Sequence, residues 1–99
     1  MDAKENIITT KSEDFAVRII NLYKYLCADK KDFVLSKQIL KSGTSICANV
    51  AEATCGISRN DFLAKIYISF KECNETLCWL RLLNRTDFIT KKQFLIFNS

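Results

Sequence analysis

The chain contains no proline and no histidine, and only two glycines, Gly43 and Gly56. Strand-and-turn folds draw on Pro and Gly for their turns, so this scarcity favours helices. Lack of His removes the commonest general base and the usual partner of a Ser or Cys nucleophile, which argues against an enzyme. It also excludes a Cys/His zinc site. The five cysteines, Cys27, Cys47, Cys55, Cys73 and Cys78, are odd in number and include no CxxC pair. They read as small apolar residues in a reducing compartment, not as metal ligands. No apolar run is long enough to span a bilayer. The N-terminal stretch MDAKENIITTKSEDF has no hydrophobic segment of signal-peptide type. A cytoplasmic location is expected, with no metal, no cofactor and no membrane contact.

What is present is a chain of 99 residues, 48% apolar and 26% charged. That is enough for one domain with a modest core and too apolar for disorder. Apolar residues recur at three- and four-residue steps. Phe15, Ile19, Leu22, Tyr23 and Leu26 mark a helix over about 12–28, after a short lead-in. Leu35 and Ile39 open a second over about 32–54, stopped by Gly56. Ser58 with Asp61 starts a third over about 58–85. Phe62, Ile66, Cys73, Leu77 and Leu80 form its seam, with Ser69 and Phe70 sharing the step between. Thr90 caps a fourth helix over about 90–99. The connections are short, so neighbouring helices should run antiparallel. The expected fold is all-α: an up-down-up-down four-helix bundle whose last helix is short or truncated.

Two polar lines stand out. Ser42, Ser45, Asn49 and Glu52 fall in one row along the second helix. Beside them runs a small apolar row, Ile39, Gly43, Ile46, Val50 and Ala53. The third helix carries Lys65, Ser69, Glu72, Thr76 and Trp79 in a row of similar character. Short hydrogen-bonding groups suit a close helix–helix approach, within the subunit or between subunits. Trp79, a large ring flanked by short polar groups, reads as core or interface packing. Glu52, Glu72 and Glu75 are the carboxylates nearest these rows, but a di-metal site would want Glu-x-x-His pairs, and none exist. Glu52 reads instead as an ion-pair or hydrogen-bond partner of Lys65 or Lys71.

The antiparallel layout gathers charge. Net charge is +4. The end holding the 1–2 connector and the 3–4 connector carries nine bases, among them Lys37, Lys41, Arg81, Arg85, Lys91 and Lys92, against three acids. That end is +6 and the remainder is −2. A basic end can neutralise phosphates, and it also suits a solvated surface that keeps a protein in solution. No zinc finger, RNP aromatic pair or GXXG loop is present, so RNA recognition would rest on shape and backbone contacts.

QILKSGTSICANVAEA (Gln38 to Ala53) and SRNDFLAKIYISFKECNETLCWLRLL (Ser58 to Leu83) resemble the four-helix bundle proteins encoded by 23S rRNA intervening sequences. The accessory variability proteins of diversity-generating retroelements are similar to these. The shared pattern is S-x-T-S-I-x-x-N-x-A-E-A, then D-F-x-x-K-x-x-I-S-x-K-E-x-x-E-T-x-x-W-L. The resemblance implies a non-enzymatic bundle that assembles into a ring-like homo-oligomer, typically a pentamer. It also implies a basic surface for RNA or DNA, serving a reverse transcriptase complex in the retroelement branch. It assigns structural or interface roles, not catalytic ones, to Ser42, Ser45, Asn49, Glu52, Lys65, Ser69, Lys71, Glu72, Glu75, Thr76 and Trp79. The alternative is a protein–protein scaffold or accessory subunit with no direct nucleic-acid binding.

Overall fold

The computed structural model describes residues 3–98, with side chains from Asn6 to Phe97. It consists of four helices: α1 (Ala3–Ala28), α2 (Leu35–Thr54), α3 (Arg59–Arg85) and α4 (Lys91–Asn98). No strand occurs among the described residues. The architecture is the expected up-down-up-down bundle, 43 Å long and about half as wide. Its length is that of α3, whose 27 residues span about 40 Å at helical rise.

Each boundary has a local cause. α1 begins at Ala3, well before Ser12 where the sequence signals place it. Ser12 is buried in mid-helix, and its hydroxyl donates to the Thr9 carbonyl at 2.9 Å instead of capping a helix start. The β-branched run Ile7-Ile8-Thr9-Thr10 lowers helix propensity, but no Pro or Gly interrupts it, so helix continues. Met1 and Asp2 of the expected lead-in, and Ser99 of the expected last helix, lie outside the described residues.

α2 starts at Leu35, three residues past the expected start, with Val34 at the N-cap and the first turn tied back to Asp32. Its carboxylate accepts from the Ser36 N–H at 2.7 Å, and its carbonyl accepts the Ser36 hydroxyl at 2.8 Å. At the start of α3 the Ser58 hydroxyl accepts from the Asp61 N–H at 3.1 Å. The 3–4 connector turns at Asp87, in the left-handed region at φ 65°, a conformation Asp tolerates better than most residues. The N–H groups of Phe88 and Ile89 then both reach the Leu83 carbonyl, at 2.9 and 3.3 Å. Thr90 and Gln93 close a reciprocal capping box at the start of α4, with bonds of 2.7 and 3.1 Å.

The core is uneven along the bundle. Ile19, Leu22, Leu26, Ile39, Leu80, Leu83 and Ile89 form one buried cluster, against which Phe94 and Phe97 of α4 pack. All of it lies in the half that α4 reaches. The other half is a contact of three helices built from small groups. At Gly43 α1 comes close to α2. A Cβ placed there would meet Cγ2 and Cγ1 of Ile19 at 2.7 and 2.8 Å, and Ile19 is fully buried. Farther along α3, the inward step shared by Ser69 and Phe70 goes to Ser69. Ser69 is buried, while Phe70 is 62% exposed.

Candidate functional site

The two polar rows meet face to face in part. Thr76 and Ser42, both fully buried, share a hydrogen bond of 2.9 Å between their hydroxyls. The Ser69 hydroxyl donates to the Ile46 carbonyl at 3.2 Å. Lys65 and Glu52 form an ion pair at 2.7 Å near the far end. The pairs run 42–76, 46–69 and 52–65, which is the antiparallel register of α2 against α3. Thus Ser42, Glu52, Lys65, Ser69 and Thr76 join the two helices.

The other predicted members do not. The Ser45 hydroxyl donates to the Lys41 carbonyl at 2.7 Å, and the Asn49 amide donates to the Ser45 carbonyl at 2.9 Å, so both serve their own helix. Glu72 contributes only its carbonyl, to the Thr76 hydroxyl at 2.8 Å. Trp79 is half-buried against the core cluster, and its indole N–H is buried without a hydrogen-bond partner. The Glu52–Lys65 pair is open to water, with side chains 60% and 40% exposed, so it contributes at most about 1 kcal/mol. Among the described residues, no group of three or more His, Cys, Asp and Glu could hold a metal ion.

The second predicted site is the basic pole, where α1 ends, α2 begins, α3 ends and α4 begins. Lys24, Lys30, Lys31, Lys37, Lys41, Arg81, Arg85, Lys91 and Lys92 are all exposed there. Among the described residues none of them has an ion-pair partner. Of the three acids, Asp32 is committed to the Ser36 N–H in the first turn of α2. The pole also rests on the large-residue half of the core, which fixes the helix ends that carry these cations. Nearby, the Tyr23 phenol holds its proton above the usual range. The first cause is its hydrogen bond with the Cys27 thiol, and the second is charge repulsion from that group.

Sequence reasoning passed over one feature of this pole. Phe33 and Val34 in the 1–2 connector are 55% and 71% exposed. The signal was available: an aromatic directly after the charged run Asp29-Lys30-Lys31-Asp32, off the apolar stripe of either helix.

Fold and surface together define a small all-helical bundle protein with one strongly basic pole. The family model of the 23S rRNA-intervening sequence protein matches residues 4–99, and the chain belongs to that family. A solved structure from Bacteroides thetaiotaomicron VPI-5482, described as a protein of unknown function from the S23 ribosomal protein family, is 55% identical. It superposes with a TM-score of 0.94 over 96% of this chain and 85% of that one. No curated protein matches the chain. No helix among the described residues is long and apolar enough to cross a membrane.

Proposed function

We propose that the protein is a non-enzymatic, cytoplasmic, self-associating bundle that holds RNA or DNA by its phosphate backbone on the basic pole. The observation that carries this reading is the set of nine exposed cations at one end of the bundle, with no ion-pair partner among the described residues. Unpaired surface cations attract a polyanion and release its condensed counterions on contact. The absence of His from the chain supports the non-enzymatic part. The family match supports an rRNA-linked setting over the retroelement one, in which a reverse transcriptase would be the partner served. A ring-like homo-oligomer, a pentamer by resemblance, would set several poles side by side and raise avidity without new contacts.

Two measurements test this. Sedimentation at micromolar concentration should give a mass well above that of one chain, and a monomer contradicts the assembly. Retention on RNA should fall steeply with rising salt, and fall further on charge reversal at Lys37, Lys41, Arg81 and Arg85. Binding indifferent to both changes contradicts the electrostatic contact.

The second reading, a protein–protein scaffold, is favoured by an apolar groove of about 300 Å³ among α1, α2 and α3, floored by Phe15, Ile46 and Val50. A stable oligomer with no RNA retention at low salt would select it.

A further inference from the structure

The 1–2 connector presents two apolar side chains to solvent among the cations of the basic pole. Phe33 is 55% exposed, with Lys30 and Lys31 before it and Lys37 after. A loop side chain is ordinarily slack, but the backbone here is tied on both sides. The Asp29 N–H donates to the Tyr25 carbonyl at 2.8 Å, and the Asp32 N–H donates to the Leu26 carbonyl at 3.0 Å. Lys31 between them adopts φ 55°, which turns the chain sharply. Asp32 is then locked to Ser36 by two bonds of 2.7 and 2.8 Å, and Ser36 is fully buried. Phe33 therefore stands between a fixed residue and the first turn of α2, and its ring faces water while its backbone has little freedom. On the helices flanking the connector, Leu26 and Ile39 are fully buried in the core.

We infer that Phe33 is a stacking platform for an unpaired base, and that the ligand of the basic pole is a single-stranded nucleic acid. This rests on the reading of the pole as a nucleic-acid contact. Lys30, Lys31 and Lys37 take the phosphates, and the ring takes the face of one base. Stacking on a held aromatic costs little ordering, and it is open only to a strand whose bases are free of a partner. A duplex keeps its bases stacked internally and offers the ring nothing beyond its backbone.

Fluorescence anisotropy with two labelled probes tests this: an oligouridylate of about fifteen nucleotides and an RNA duplex of equal length, at about 100 mM salt. Wild-type protein should prefer the single strand. Phe33→Ala should weaken single-strand binding about ten-fold, within the range for losing one stacked base, and leave duplex binding within about two-fold. Phe33→Trp should restore the preference. The exposed position makes these variants well folded, which circular dichroism verifies. Equal loss on both probes, no loss on either, or preference for the duplex overturns the stacking role. If Lys37→Glu with Lys41→Glu still weakens both probes, the electrostatic reading survives that failure. Absence of binding to either probe at low salt overturns both readings.

Discussion

The Ser42–Thr76 pair joins two fully buried hydroxyls across the α2–α3 contact, and its energetics belong to the pair. Both residues are fully buried, and their oxygens lie 2.9 Å apart. A buried hydroxyl left without its partner costs about 1–3 kcal/mol, whereas removing both together is far milder. Thr76→Val leaves Ser42 with only the Ile39 carbonyl, at a long 3.4 Å. Thr76→Val should lower stability in urea by about 1–2 kcal/mol, and Ser42→Ala by less, because the Thr76 hydroxyl keeps the Glu72 carbonyl at 2.8 Å. The double variant should lose less than the sum, with a coupling of about 0.5–1 kcal/mol. Strict additivity would show that the two hydroxyls act independently. Glu52, the carboxylate at the far end of the same row, differs because water screens it.

At the scale of elements, Gly43 sets how closely α1 and α2 approach. Two effects of Gly43→Ala oppose each other. Helix propensity rises by about 1 kcal/mol, and overpacking costs about 1–3 kcal/mol. The added Cβ would meet the root of a β-branched, fully buried Ile19, not the far end of a flexible chain. The clash should win, with a net loss of about 1 kcal/mol in the urea midpoint analysis. In an Ile19→Ala background the two closest atoms, Cγ1 and Cγ2, are gone and only Cβ at 3.1 Å remains, so the same substitution should lose its cost or stabilise. Loss of equal size in both backgrounds would place the strain elsewhere. Much of this element layer was legible. The caps Ser58 and Thr90 follow local hydrogen-bond chemistry, which sequence spacing carries. The start of α1 was not legible, because Ser12 stands where a cap would and only its burial shows the helix already under way. Half of the α2 row was equally ambiguous. Ser45 and Asn49 hold the same period as Ser42, but which hydroxyl turns to a neighbour depends on a crossing that local spacing does not encode. Phe33 escaped notice because periodicity is blind to a residue lying on no stripe.

At the scale of the whole molecule, distribution of charge outweighs its total. The chain is only +4 overall, yet one pole is +6. If the pole is the contact, two variants of identical net charge must behave differently. Lys37→Glu with Lys41→Glu removes cations from the pole. Lys11→Glu with Arg59→Glu removes two exposed cations from elsewhere on the bundle. Each pair brings the formal charge to zero from +4. For a single strand, the dependence of log affinity on log salt has a slope of about −0.7 per phosphate neutralised. The polar pair should therefore flatten that slope by about 1.4, while the distal pair leaves it unchanged. A salt titration of RNA affinity for wild type and both variants reads the difference. Equal flattening in both would mean that the protein attracts RNA through its mean charge alone, with no defined phosphate track. Local flattening would tie counterion release to the end where α1 passes into α2.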